Sequence, residues 1–368
     1  MRDALIDQLA RVLVEYSMGV QPGELVVLSG GSAGAPLLQA VNRRVIAAGG
    51  IPAVEVELPG MIEDLLLAGS DDQLRAVTPF ERIAAEQADC SLRVGASENT
   101  RAMTGIDPKR QQLYQRARAA IGQQRMQRAA DGTLRWSSTI YPTEAYAQEA
   151  NLSLRDFEEF VARAEWLYDP DPIARWRELG AYQARLIDWL TPRHEVHLVA
   201  EDTDLRLSIA GRVWNNSDGH RNFPSGEVFT GPVEDSVEGH VSFSFPSIHR
   251  GRQVEGVRLW FERGRVVRAE ATRNQEFLEA MLNTDEGARY LGEFAFGTNQ
   301  QIDRYIGNTL FDEKIGGTVH MALGSGYPDT GSTNRSAIHW DLICDLRRGG
   351  EVTVDGDVFL KDGKILIG

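Results

Sequence analysis

Residues 336–345, Ser-Ala-Ile-His-Trp-Asp-Leu-Ile-Cys-Asp, alternate with a period of two. Successive side chains of an extended strand leave opposite faces. Ile338, Trp340, Leu342 and Cys344 therefore share one face, and His339, Asp341 and Asp345 share the other. Such a strand lies in a sheet with one face on a core. A second strand-like run, Gly316–Gly324, carries His320 between Val319 and Met321. Imidazoles and carboxylates on stiff, neighbouring strands are one way to build a metal site without a helix. That pattern limits the surrounding fold to one organised on a sheet.

The two halves of the chain differ in texture. In the first half, apolar residues at Leu5, Ile6, Leu9, Val12, Leu13 and Tyr16 make a helical stripe. Glu-Leu-Val-Val-Leu-Ser-Gly-Gly (24–31) reads as a buried strand, followed by a glycine-rich loop and a helix that Gly49-Gly50 stops. Ile51–Leu58 is the next strand, which completes a βαβ unit and predicts a parallel sheet. Segments 63–67 and 78–87 read as helices, 89–97 as a third strand, and 108–128 as a long basic helix with a solvated surface. Ser153 to Asp156 has a capping pattern, and a helix runs from about Pro172 to Trp189. After Pro192 the texture turns to β. Residues 195–211 give two strands, 256–272 a hairpin about Arg263-Gly264, and 351–368 two Asp-Gly turns between alternating apolar residues. Segments 275–282 and 285–290 read as helices. The expected fold is an α/β domain with a Rossmann-like parallel sheet over residues 1–185. An α+β, mostly antiparallel domain over 186–368 follows it.

All seven histidines fall after residue 190, so any histidine-bearing site belongs to the β-rich half. Four stretches there combine glycine, carboxylate and histidine: 219–239, 291–299, 312–331 and 334–345. A site for two ions needs several carboxylates and imidazoles, one of them bridging. Residue type alone nominates Glu227, Glu293, His320, His339 and Asp341, a donor set suited to zinc, cobalt or manganese. No His-Glu-x-x-His motif occurs, and His194 and His197 would face opposite sides of a strand. A net charge of −14 argues against a nucleic-acid partner and suits a soluble cytoplasmic protein. Two cysteines, Cys90 and Cys344, suggest no disulfide framework. The charged amphipathic start is not a secretory leader, and no apolar run of about 18 residues predicts a membrane helix.

The same blocks carry a resemblance. Pro224–Thr230, Gly292–Ala295 with Gly297 and Asn299, Glu313–Gly324 and Ser336–Asp341 resemble those of the aminopeptidase T family of metallo-aminopeptidases, the AmpS and PepS type. Tyr141–Thr143 and Ala145–Ala150 add a looser likeness in the first half. The resemblance implies two divalent ions per chain, peptide substrates with a free N-terminus, and a homodimer that encloses the site. It places Glu227, His320, His339 and Asp341 on metal ligands. Glu293 falls on the glutamate credited with ligation and base catalysis, and Tyr327 on a catalytic tyrosine. Glu313 is the reserve base, and Glu313 and Asp345 are either ligands or partners that orient ligands.

Each residue also has a plain reading when taken singly. Glu227 could be an acid in a surface turn, Glu293 a solvated strand acid, and His320 a hydrogen-bonded core histidine. His339 and Asp341 could be the wet face of a strand, and Tyr327 could pack in a turn. His220, His240 and His249 read as surface or structural residues. A competing function is a nucleotide-binding oxidoreductase built on the first βαβ unit, with Glu55 or Glu57 as the ribose-binding acid. The loop Ser29–Pro36 matches neither phosphate-binding fingerprint, however, and reads better as a packing turn. A third reading is an inactive homologue used as a binding module. Metal content separates the peptidase from both.

Overall fold

The computed structural model describes residues 1–249 and 251–367. The chain divides into two compact units. One is Met1–Ile173 with Gly219–Pro224; the other is Ala174–Asp218 with Ser225–Gly368.

The first unit is built on four parallel strands: β1 (Leu25–Gly31), β2 (Ile51–Glu57), β3 (Cys90–Gly95) and β4 (Arg135–Ile140), in the order β2-β1-β3-β4. Helix α1 (Asp3–Val12) buries the predicted stripe of Leu5, Ile6, Leu9 and Val12. Helix α2 (Ala35–Ala47), with Pro36 in its first turn, buries Leu37, Leu38, Val41 and Val45. The glycine-rich loop between β1 and α2 is a packing device. A β-carbon on Gly30 would lie 2.5 Å from the carbonyl oxygen of Val94, and one on Gly31 2.7 Å from that of Ala96. Glu57, a candidate ribose-binding acid, is engaged by Arg93 at 2.7 and 3.0 Å. Helix α3 (Pro108–Ala130) buries none of its residues, as its basic composition predicts.

The second unit takes in most of helix α4 (Pro172–Leu190) and holds, among the described residues, two large antiparallel sheets and a small two-stranded one, Ser247–His249 with Arg252–Val254. One of the large sheets has eight strands, running from Arg265–Glu270 at one edge to Lys364–Ile365 at the other. It contains the predicted hairpins. The other has five strands: β5 (Asn215–Ser217), β6 (Glu227–Thr230), β7 (Leu291–Gly297), β8 (Thr318–Gly324) and β9 (His339–Asp345), in the order β9-β8-β7-β6-β5. Their apolar faces share one core, in which Phe296 of β7 meets Phe359 of the larger sheet at 4.6 Å between ring centroids. Segment 285–290, expected as a helix, forms only a single 3₁₀ turn, Glu286–Arg289. Close packing limits it: a β-carbon on Gly287 would lie 2.1 Å from the Arg335 carbonyl oxygen. Among the described residues no helix is long and apolar enough to cross a membrane.

Candidate metal centre

The register of the five-stranded sheet builds the site. Directly paired residues in antiparallel strands share a face. Gly297 pairs with Glu227, Ala295 with His320, Glu293 with Ala322, Ala322 with Asp341, and Gly324 with His339. One face therefore carries Glu227, Glu293, His320, Asp341 and His339, separated by the small residues Ala295, Gly297, Ala322 and Gly324. The opposite face carries Val228, Phe294, Phe296, Val319, Met321, Leu323, Trp340 and Leu342, all in the core. A bulge between Leu291 and Glu293 shifts the β7–β8 register and sets Glu293 opposite Ala322. Behind β6, buried Gln183 of α4 donates to the Glu227 carbonyl at 2.6 Å and so fixes that strand's position.

All five nominated side chains meet. Glu293 Oε1 lies 3.3 Å from His320 Nε2, and Glu293 Oε2 lies 3.3 Å from His339 Nε2. Glu227 Oε2 is 3.4 Å from His320 Nε2, and Asp341 Oδ1 is 3.4 Å from His339 Nε2. Both imidazoles are oriented by backbone. His320 Nδ1 bonds the Glu313 carbonyl at 2.9 Å, and His339 Nδ1 bonds the Ser325 carbonyl at 2.8 Å. A carbonyl only accepts, so Nδ1 carries the hydrogen and Nε2 faces the carboxylates. Three sets of potential ligand atoms fall within 4.8 Å of one another: Glu227–Glu293–His320, Glu293–His339–Asp341 and Glu313–His320–Asp341.

These residues fit a divalent cation. Glu227 Oε2 and Asp341 Oδ1 are buried and accept no hydrogen bond, an arrangement that is costly unless a positive ligand meets them. Electrostatics point the same way. Burial opposes a charge on His339, but Asp341 and Glu293 override it and push the imidazole up to about 12. His320 is pushed up to about 9 against the same burial, by Glu293 and Glu227. Asp341 is drawn down to about 2, its burial outweighed by His339. The cluster thus attracts positive charge where the two imidazoles meet the carboxylates, and an ion can replace a proton there.

Three more groups complete the surroundings. The Tyr327 ring stands edge-on to His339 with centroids 5.3 Å apart, and also contacts Phe229. Burial and the nearby carboxylates hold its phenol far above the ordinary range, so it keeps its proton. Glu313 lies in the site, and burial raises its carboxyl to about 7. Asp345, on the same strand face as Asp341, instead pairs with Arg347 at 2.7 and 2.8 Å. Sequence reasoning did not nominate Lys314. Its side chain is fully buried, contacts Glu313 Oε1 and lies 3.5 Å from Glu227 Oε1. A lysine is ordinarily read as exposed; only its place inside the acid-bearing stretch 312–331, directly after Asp312 and Glu313, hinted otherwise. The other histidines lie elsewhere: His197 pairs with Asp204 at 2.8 Å, and His220 packs on Tyr16.

Comparison with known proteins sets this geometry in a lineage. The profile of the thermophilic metalloprotease family, M29, matches residues 2–364. Aminopeptidase 2 of Geobacillus stearothermophilus is 30% identical over 404 residues, covering 98% of this chain and 95% of that protein. Aminopeptidase T of Thermus thermophilus is 29% identical over 318 residues, covering 77% of this chain and 76% of that protein. The solved structure of wild-type AmpT from Thermus thermophilus has the same fold, with a TM-score of 0.85, 22% identity and 99% of each chain covered. A 2,5-dihydroxypyridine dioxygenase from Pseudomonas putida KT2440 aligns with a TM-score of 0.60 and 14% identity, over 100% of this chain and 98% of that one. The scaffold therefore serves proteins named for different reactions and does not choose between them. The match along almost the whole sequence does choose: this chain belongs to the thermophilic metalloprotease family, M29.

Proposed function

We propose that this protein is a metal-dependent aminopeptidase that releases N-terminal residues from peptides and works with two divalent ions. One observation carries the reading. The two oxygens of Glu293 each face a different imidazole at 3.3 Å, so a single carboxylate joins two ligand sets. Glu227 and His320 complete one set, and His339 and Asp341 the other. Relatives across nearly the full length are named aminopeptidases. Carboxylate and imidazole donors suit zinc, cobalt or manganese.

Ions held there would supply an acidified water and a polarised scissile carbonyl. The chain's own residues supply the rest. With both oxygens facing imidazoles, Glu293 would hold ions through both of them and is poorly placed to carry a proton as well. Glu313 takes that role: burial holds it at about 7, where it can accept a proton and return it to the leaving amine. Tyr327, beside His339 and held protonated, donates a hydrogen bond to the oxygen that gains charge in the transition state. His339 is the most open of the five, with 30% of its side chain exposed, so substrate enters on its side.

A homodimer is supported by exposed apolar residues in the first unit, including Ile51, Val54 and Val56 on the sheet-edge strand β2 and Met61, Leu67 and Phe80 after it. A cytoplasmic location accords with the charge and the two unpaired cysteines. The decisive experiment measures bound metal and hydrolysis of leucine p-nitroanilide together. About two ions per chain and metal-dependent release are expected. Purified, metal-reconstituted protein that binds no ion, or cleaves no aminoacyl anilide or dipeptide, sinks the reading.

A further inference from the structure

Lys314 has no exposed surface and stands among the carboxylates of the centre. Its backbone is held on both sides: its N–H donates to the Phe311 carbonyl at 2.9 Å, and its carbonyl accepts from Asn299 N–H at 3.2 Å. From that fixed backbone the buried side chain reaches Glu313 and Glu227. Burying its ammonium costs several kcal/mol unless anions compensate, on the order expected for any buried ion. Here Glu313 and Glu227 both compensate, each through Oε1.

Those two carboxylates compete for one partner. His320 turns a single Nε2 lone pair into the site. That lone pair can join Glu227 and Glu293 around an ion, or Glu313 and Asp341 around an ion, but not both at once. Lys314 does not treat the rivals equally. It contacts Glu313 directly, whereas its 3.5 Å separation from Glu227 exceeds an ordinary hydrogen bond. Glu227 keeps Oε2 free of hydrogen bonds and 3.4 Å from His320 Nε2.

We propose that Lys314 is a positioning residue that decides which carboxylate shares His320 with an ion. It holds Glu313 in an ion pair outside the coordination set and leaves Glu227 as the ligand. The proposal rests on the two-ion reading above and adds to it a reason why Glu313, close enough to ligate, stays free to move protons.

The test is metal content. Wild type and single and double variants are equilibrated with zinc, dialysed and analysed by plasma mass spectrometry, with circular dichroism to verify folding. About two ions are expected in wild type and in E313Q, and about one in E227Q. In the double variant E227Q/K314M, Glu313 is released from its ammonium and replaces the missing ligand, so the count returns to about two. A cobalt-loaded series gives an independent readout, because the visible spectrum follows the ligand set: E313Q keeps the wild-type spectrum, and E227Q/K314M regains the intensity that E227Q loses. The proposal fails if E313Q loses an ion as E227Q does, or if E227Q/K314M stays at one. Should K314M not fold, E227Q/K314Q takes the place of E227Q/K314M, with the same expected and overturning counts. A wild-type count below two overturns the two-ion reading and the proposal with it. A count of two with E313Q at one overturns the proposal alone.

Discussion

At the scale of single residues, hydrogen bonds decide roles that residue type leaves open. The Glu313 carbonyl turns His320 Nε2 into the site while the Glu313 side chain lies in that site, so one residue orients the imidazole and, in the mechanism proposed above, also serves as acid or base. Replacing Glu313 with Gln removes the proton carrier and keeps the backbone contact. Metal content should stay at the wild-type level while kcat falls by roughly 10²–10⁴-fold. Steady-state kinetics on metal-analysed protein check this, and a near-normal kcat would return the base role to Glu293. A buried acid also lies in the first unit. Glu165 is fully buried, neither carboxyl oxygen has a partner, and burial raises its carboxyl well above the ordinary range. The folded state keeps a proton there that the unfolded chain releases above pH about 4.3. Stability is therefore lost as pH rises from that value through the higher folded-state value. Glu165→Met removes both orphan oxygens. It should raise stability near neutral pH by about 1–3 kcal/mol and flatten the decline on the alkaline side, measured by urea denaturation at several pH values.

At the scale of elements, the site depends on one bulge and a row of small residues. Without the extra residue at Gly292, Glu293 would pair one position further along β8. Gly292 also packs closely: a β-carbon would meet the Gly324 carbonyl oxygen at 2.4 Å, against backbone that cannot step aside. Gly292→Ala should therefore destabilise the second unit by about 1–3 kcal/mol and weaken metal binding together. Thermal melts paired with metal analysis test this, and a variant with both unchanged would show that the bulge is dispensable. Gly226 plays a related part at the start of β6, with a φ of 123° that favours glycine and Asn299 packed where a β-carbon would stand. It lets the chain turn into the strand with Glu227 facing the site.

At the scale of the whole molecule, the proposed ions would be coupled to stability. The site gathers four carboxylates, those of Glu227, Glu293, Glu313 and Asp341, about the ammonium of Lys314, and Glu227 Oε2 and Asp341 Oδ1 accept no hydrogen bond. An ion that binds only the folded form at a hundred times its Kd adds about 2.7 kcal/mol. For a unit of this size that is roughly 5–10 °C in Tm. Chelation should lower the transition of the second unit by that amount and leave a transition assigned to the first unit in place, followed by calorimetry with and without chelator. An unchanged melt would mean that the carboxylates satisfy one another without metal. The exposed apolar side chains of β2 and the helices after it make association the other whole-molecule property to measure, by light scattering against the 40.8 kDa chain mass.

The alternation in 336–345 was enough to place His339 and Asp341 on one face and Trp340 on the other, because side-chain direction along a strand is a local consequence of backbone geometry. The βαβ start, the Asp-Gly hairpins and the solvated basic helix were legible for the same reason: each is written in a short window of spacing and turn chemistry. Distances between residues far apart in sequence are not local. Strand order and register bring Glu227 and Asp341 into one cluster although they are separated by more than a hundred positions. Asp345 shared the predicted face, yet it was claimed by Arg347 two residues away, and only the folded turn could reveal that pairing. Lys314 is the sharpest case. Its burial follows from the anions that surround it, so the charge that marked it for the surface in the sequence is what the tertiary structure uses inside.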